Sequence, residues 1–293
     1  MSYFTPPEIA VQFCKSAHVK NALSNRKMLV YSILGGAFIA LGGLLSLMVV
    51  GGMPSVTAAN PGISKLLFGA MFPLGLILVV IGGAELFTSD CAVIPFAVLN
   101  KQLKSQSILR IWTISYLGNF LGALLVAYFF VYQTQMLAKN PWHDATVNIA
   151  IHKIENSFWV TFLKGIVANW LVCMAVWLSY AAKDIVGKIV ALWFPVMCFV
   201  VFGMEHSIAN MFFIPTAMLL DAPIDMYHFL VVNLLPATLG NIVGGVCLVA
   251  IPYWYMFQKQ IKIANTNSYN QYHNQASSEN ILEQEQSLSN QLN

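Results

Sequence analysis

Charge is what this chain has least of: Asp, Glu, Lys and Arg make up 9% of its 293 residues, against about 25% in a soluble domain. That scarcity excludes an ordinary soluble fold. With 58% hydrophobic residues and a mean hydropathy of +0.67, the chain is expected to be an integral membrane protein. Its five cysteines, Cys14, Cys91, Cys173, Cys198 and Cys247, have no paired or metal-ligand spacing. They are expected as small buried hydrophobes and imply no disulfide framework, metal or other cofactor. An HExxH metal motif, a nucleophile elbow and a soluble domain for a second substrate are all lacking, which argues against a membrane enzyme. A haem-carrying redox subunit usually needs paired axial ligands, but only His206 lies deep in an apolar run, with His228 at the end of one. No basic-aromatic patch suggests nucleic acid as a partner. The formal net charge of +3 therefore reports membrane topology.

Apolar windows of about 20 residues, the length that crosses a bilayer core, fall near 28–50, 65–86, 108–132, 157–181, 188–220 and 228–257. Six crossings are expected. Eleven of the 15 Lys and Arg residues sit in the N-terminal segment, the 100–110 loop, the 181–188 loop and the tail. The loops between hold Lys65, Lys139 and Lys153. Because short basic loops stay cytoplasmic, both termini are expected inside the cytoplasmic membrane. The first 27 residues lack the compact apolar core and small-residue cleavage site of a signal peptide. Within this N-terminal segment, 1–27, TPPE at 5–8 resembles a capping box opening a helix over 6–24. Ile9, Phe13 and Ala17 would give that helix an apolar face for the membrane surface or a neighbouring subunit. Residues 28–257 form the expected channel domain, and the Asn-, Gln- and Ser-rich tail, 258–293, is expected to be disordered from 264 onward.

The chain also matches itself at an offset of roughly 120 residues. GAELFTSD at 83–90 answers GMEHSIAN at 203–210, and LGNFLG at 117–122 answers LGNIVG at 239–244. Three crossings per half place the second half upside down relative to the first, the inverted repeat of transport proteins. In that architecture corresponding helices break near the midplane, here expected around Glu85 to Asp90 and around Gly203 to Ser207. The Gly-xxx-Gly faces of the LGNxxG segments predict close helix packing, with Asn119 and Asn241 tying backbone across helices. An ionised group at the bilayer centre costs roughly 2.5 to 3.5 kcal/mol on the lenient insertion scale, so Glu205 and His206 are expected to face a partner or a wet path.

PPEIA at the N-terminus, GAELFTSD, KGIVANWLVCMAVW at 164–177 and FGMEHSIANMFFIP at 202–215 together resemble the formate/nitrite transporters, channels for small monovalent anions. The finer likeness is to the formate transporters associated with formate dehydrogenase. The resemblance implies an all-α, aquaporin-like protomer of six helices with broken second and fifth spans, assembled as a homopentamer in the lipid bilayer. It also implies formate as the substrate, with nitrite, hydrosulfide or lactate as alternatives.

By the same resemblance His206 stands in mid-pore within hydrogen-bond reach of Thr88. Leu76, Leu86 and Phe199 would form the cytoplasmic-side slit, and Phe72 and Phe87, joined by Val172, the outer one. Lys153 would attract the anion in the outer vestibule, with Asn169 and Glu205 as its companions. Lys164, deep in the fourth span, is expected to pair with a carboxylate or carbonyls. Two mechanisms stay open at this stage. Either a proton joins the anion and the neutral acid passes, or a protonated His206 lets the anion itself through.

Overall fold

The computed structural model describes residues 3–263, and all regular structure among them is helical. Helix α1 spans Pro6–Ala22. Its start is fixed locally: the Thr5 amide and hydroxyl both donate to Glu8 Oε2 at 2.7 Å, and Pro6 occupies the first turn, where a missing N–H is harmless. The apolar face of α1 does not wait for a membrane or a second subunit, as the sequence suggested. Ile9, Phe13 and Ala17 are buried within the chain, and Phe13 meets the edges or faces of Phe96, Trp177 and Tyr180 at centroid distances of 5.1 to 5.8 Å. Three rings from other helices make a slot that one more ring fills, and burying a Phe contributes about 1.5–3 kcal/mol.

Five helices among the described residues are long and apolar enough to cross a membrane: Asn25–Gly51, Pro61–Gly82, Gln106–Tyr132, Phe158–Ala181 and His228–Ile263. The first is α2. Short α3 (Pro54–Ala59) precedes the second, which is α4 (Pro61–Met71) and α5 (Leu74–Gly82) joined at Phe72 and Pro73. Then come α6 (Phe87–Leu99), α7 (Gln106–Leu125, continued by π turns to Tyr132), α8 (Trp142–Ile154) and α9 (Phe158–Ala181). The expected fifth span is divided between α10 (Ile185–Val201) and α11 (Ser207–Leu219). Helix α12 (Leu235–Gly245) is the middle of the last long stretch. That stretch runs on to Ile263, beyond the boundary expected at 257. The tail from 264 lies outside the described residues.

Helix is interrupted at two matched places, over residues 83–86 and 202–206. The first interruption falls earlier than the sequence suggested: Thr88, Ser89 and Asp90 already belong to the first turn of α6. Glycine decides both positions. Gly83 (φ 80°) and Gly203 (φ 68°) adopt the left-handed conformation that ends helices at little steric cost only when no Cβ is present. The chain then folds back on the helix it has left, with Ala84 N–H donating to Val79 O at 2.8 Å and Met204 N–H to Phe199 O at 3.1 Å.

Helix α7 lies on α2 and α12 on α9 at distances only glycine permits. A Cβ on Gly122 would come within 1.9 Å of Ile33 O, and one on Gly244 within 2.3 Å of Ile166 O. The LGNxxG segments are thus close-packing faces, as their spacing predicts. The cysteines are free thiols; Cys14, Cys91 and Cys173 are buried, whereas Cys247 is exposed.

Candidate functional site

The two interruptions are held open by two asparagines in the same manner. Asn119 Oδ1 accepts from Phe87 N–H at 2.9 Å, while its Nδ2 donates to Glu85 O (2.9 Å) and Ser32 O (2.7 Å). Asn241 Oδ1 accepts from Ser207 N–H at 2.8 Å, while its Nδ2 donates to Glu205 O (2.9 Å) and Gly165 O (2.9 Å). Each amide therefore replaces, on both sides of a break, backbone bonds that the missing helical turn would have made. Unpaired, those groups would be costly in so buried a place. The sequence announced such ties but not that both close on the residues flanking the breaks.

His206 is the N-cap of α11: Ala209 N–H donates to its Nδ1 at 3.1 Å. A backbone amide can only donate, so Nδ1 carries the lone pair and the ring proton lies on Nε2. That proton points at Thr88 Oγ1, 3.0 Å away on the first turn of α6. His206 and Thr88 are both buried. Thr88 is fixed in turn by its carbonyl, which accepts from Asn169 Nδ2 at 3.0 Å and from Cys173 Sγ at 3.4 Å. Two chain segments 118 residues apart thus meet through a neutral imidazole and a hydroxyl.

Beside this pair opens a cavity of about 820 Å³, with Phe72, Phe199, Phe213 and His206 in its wall. Phe199 stacks on the imidazole at a centroid distance of 5.7 Å, and Phe72 meets Phe199 edge to face at 5.9 Å. This sorts the apolar residues differently from the sequence expectation. Phe72 and Phe199, expected in opposite constrictions, line one wall together. Phe87, expected beside Phe72, instead packs against Trp112 and Tyr116 of α7 at 6.0 and 4.9 Å. Phe199 belongs to the last turn before its interruption and Phe87 to the first turn after the other. Leu76, Leu86 and Val172 are buried away from this cavity wall.

The cavity also carries Lys65, Lys153 and Lys164. Lys153 Nζ donates to Glu205 Oε2 at 3.1 Å, and the same carboxylate oxygen accepts from Asn210 Nδ2 at 2.6 Å and Asn233 Nδ2 at 3.3 Å. Asn233 closes the ring by donating to Lys153 O at 2.9 Å. Lys153 and Glu205 are brought together as expected. Asn169 is not in this network; it donates to Asn241 O at 2.6 Å and to Thr88 O, because its place on α9 faces the start of α6. Lys164 pairs with a carbonyl as expected, the Asn156 side-chain oxygen at 3.2 Å, but it does so from the second turn of α9, lining the cavity, and not from deep in the span.

Sequence reasoning missed a second lysine cluster. Lys20, near the end of α1, bonds both Glu85 Oε2 and, at 2.8 Å, Asp90 Oδ1. Burial opposes its ammonium form, but Asp90 and then Glu85 outweigh that and push its pKa above the usual lysine range. Nothing near Lys20 in sequence marks it; the 120-residue offset does, because Glu85 corresponds to Glu205 and Asp90 to Asn210.

With this geometry in view, the comparisons with known proteins agree with one another. A family profile described as formate/nitrite transporter matches residues 7–255. A probable formate transporter of Methanothermobacter thermautotrophicus is 42% identical over 274 residues, covering 88% of this chain and 99% of that protein. A formate channel of Bacillus thuringiensis is 37% identical, with 89% and 98% covered. Among solved structures, a pentameric formate channel with formate bound matches with a TM-score of 0.71 at 32% identity over 80% of this chain and 97% of that one. An ion channel of the same family matches with a TM-score of 0.78 at 28% identity over 85% and 98%. The protein is a multi-pass membrane protein belonging to the formate/nitrite transporter family, a family of transporters and channels rather than enzymes.

Proposed function

We propose that the protein conducts formate across the cytoplasmic membrane as one protomer of a homopentamer, with both termini inside and a proton accompanying each anion. Its two halves form inverted three-span repeats, and the breaks at 83–86 and 202–206 face each other in mid-pore. The observation that carries this reading is the neutral imidazole of His206, capping α11 and donating to Thr88 at the end of an aromatic-walled cavity. A neutral ring supplies hydrogen bonds but no counter-charge. An anion passing the rings of Phe72 and Phe199 would shed water without electrostatic compensation, which is far costlier than passage of the uncharged acid.

The sequence of events follows. Lys65 and Lys164 raise the local anion concentration in the outer vestibule, while Lys153 is already neutralised by Glu205. Falling dielectric toward the rings favours the protonated acid over formate. One proton joins one formate, formic acid slips past the rings using Thr88 and His206 as hydrogen-bond partners, and the pair separates on the far side. Leu76, Leu86, Phe87 and Val172 supply the second apolar barrier beyond the imidazole.

Flux of formate into liposomes, with and without an opposing proton gradient, tests this. Formate entry that raises internal acidity one proton per anion is the expected result. Electrogenic formate entry that ignores the proton gradient would refute the coupled reading, and absence of formate flux would refute the substrate.

A further inference from the structure

The two lysine clusters match across the repeat in position but not in charge. At Glu205, one ammonium faces one carboxylate, and five residues on stands the neutral Asn210. At Glu85, one ammonium faces two carboxylates, because the matching position is Asp90. Lys20 is the one cation within ion-pair distance of either acid among the described residues. Asp90 is fully buried, and its Oδ2 has no hydrogen-bond partner among the described residues.

Among the described residues, the other elements packed on α6 bring no further cation within ion-pair distance of the two acids. Helix α7 offers Trp112, whose Nε1 donates to the Asp90 carbonyl, and Ser115, whose hydroxyl donates to Ile111 O and Trp112 O. Arg110 is spent on Asn21, Leu23 and Asn25, and Tyr116 on Thr238. From α1, His18 bonds Gln102. Helix α9 contributes the Cys173 thiol and α6 itself that of Cys91, both buried. Helix α11 approaches with His206, which is engaged with Thr88. Neither α12 nor the 246–250 turn that follows carries a charged residue.

A dry site tolerates a protonated acid far better than an uncompensated carboxylate, and two carboxyls on one cation titrate as a unit. We infer that Glu85 and Asp90 share one proton at neutral pH, Lys20 balancing the single remaining negative charge, and that this cluster is the proton-exchanging group at the α1 end of the pore. Its route to water runs through Glu85 and Lys20, whose side chains keep 10% and 13% exposure while that of Asp90 keeps none. In the exchange, the carboxyl O–H breaks as an O–H forms on formate. Formic acid departs, and the emptied pair takes its replacement proton from solvent at Glu85. The shared proton stands on charge and burial alone; its part in flux rests on the transport reading.

Infrared spectroscopy of the lipid-reconstituted protein at neutral pH reads the proton directly. The carbonyl stretch of a protonated carboxylic acid is expected in the wild type. It should vanish in Asp90→Asn and equally in Glu85→Gln, since either leaves one carboxylate on one ammonium. Asp90→Asn repeats the arrangement already present at Asn210; if that variant fails to assemble, Glu85→Gln decides by the same band. In liposomes the acid limb of formate flux should move about one pH unit lower in Asp90→Asn. No protonated-acid band in the wild type, or a band that survives either substitution, overturns the inference. A wild-type band that vanishes in both variants, in a wild type that shows no formate flux, would instead overturn the transport reading and leave the shared proton intact.

Discussion

Asn241→Ala offers the sharpest test of how the site is built. The substitution removes three hydrogen bonds, at 2.8, 2.9 and 2.9 Å, and leaves no replacement donor or acceptor in a fully buried place. Gly165 O lies within the helical ladder of α9 and keeps an intrahelical partner, so it is discounted. Ser207 N–H is a first-turn amide of α11 and Glu205 O lies in the interruption, so both are left unpaired. At about 1–3 kcal/mol for each orphaned buried group, the break at 202–206 should lose about 2–6 kcal/mol of local stability. The lower figure corresponds to a roughly 30-fold drop in protection against amide hydrogen exchange. Mass-resolved exchange of the peptide covering 202–210 is the assay, with the 83–90 peptide of the same protein as internal control. Asn119→Ala should reverse the pattern, exposing 83–90 and sparing 202–210. Unchanged exchange at 202–210 in Asn241→Ala would show that the side chain does not hold the break. Equal loosening at both breaks would show that the two amides act globally.

Replacing Phe199 by Leu should widen the aromatic wall beside His206 and raise acetate and lactate flux relative to formate several-fold; an unaltered size preference in liposomes would remove Phe199 from the barrier. Lys164→Gln should raise the formate KM a few-fold at low ionic strength, an effect that fades near 0.15 M salt, where the Debye length is about 8 Å; a KM that never differs from wild type would exclude it as a steering charge. His143 on α8 is held above the ordinary histidine pKa of about 6.5, first by its bond to Asp144, against partial burial, and then by the Leu220 carbonyl. A folded pKa raised above the unfolded one stabilises fully below about pH 6.5 and loses that contribution as pH rises through the folded value. The unfolding temperature of wild type should therefore exceed that of His143→Asn in acid and converge with it in mild alkali. The gap should be small because solvent screens so exposed a pair, and a gap that widens with pH would contradict the assignment.

Much of the molecule was legible in one dimension because the membrane leaves few options. A bilayer demands about 20 apolar residues per crossing, so the long helices follow from hydropathy, and the approximate places of the two interruptions follow from the self-match; that the first falls at 83–86 and that Gly83 and Gly203 are left-handed came from the structure. Glu205 and His206 stood out because polar groups in apolar runs need a reason, and Thr88 through the family resemblance. Side-chain partners were another matter. Asn169 was expected near Lys153 and bonds the Thr88 carbonyl; Phe199 joined Phe72 on one cavity wall while Phe87 packed against Trp112 and Tyr116; Phe13 found its slot inside the chain. Each depends on the direction in which a side chain leaves its helix after a break, and a change of a few residues in where helix resumes turns that direction around the axis. The tautomer of His206 likewise required the Ala209 amide to be seen donating to it. Lys20 marks the limit most clearly: its two carboxylate partners lie 65 and 70 residues away, and no local pattern encodes a contact that exists only because α1 folds back over α6. Sequence alone determined that the chain crosses a membrane and that Gly-x-Glu segments and LGNxxG segments recur along it at an offset of roughly 120 residues. Only the tertiary structure decided which charges meet there, because pairing depends on distances between helices that periodicity does not contain.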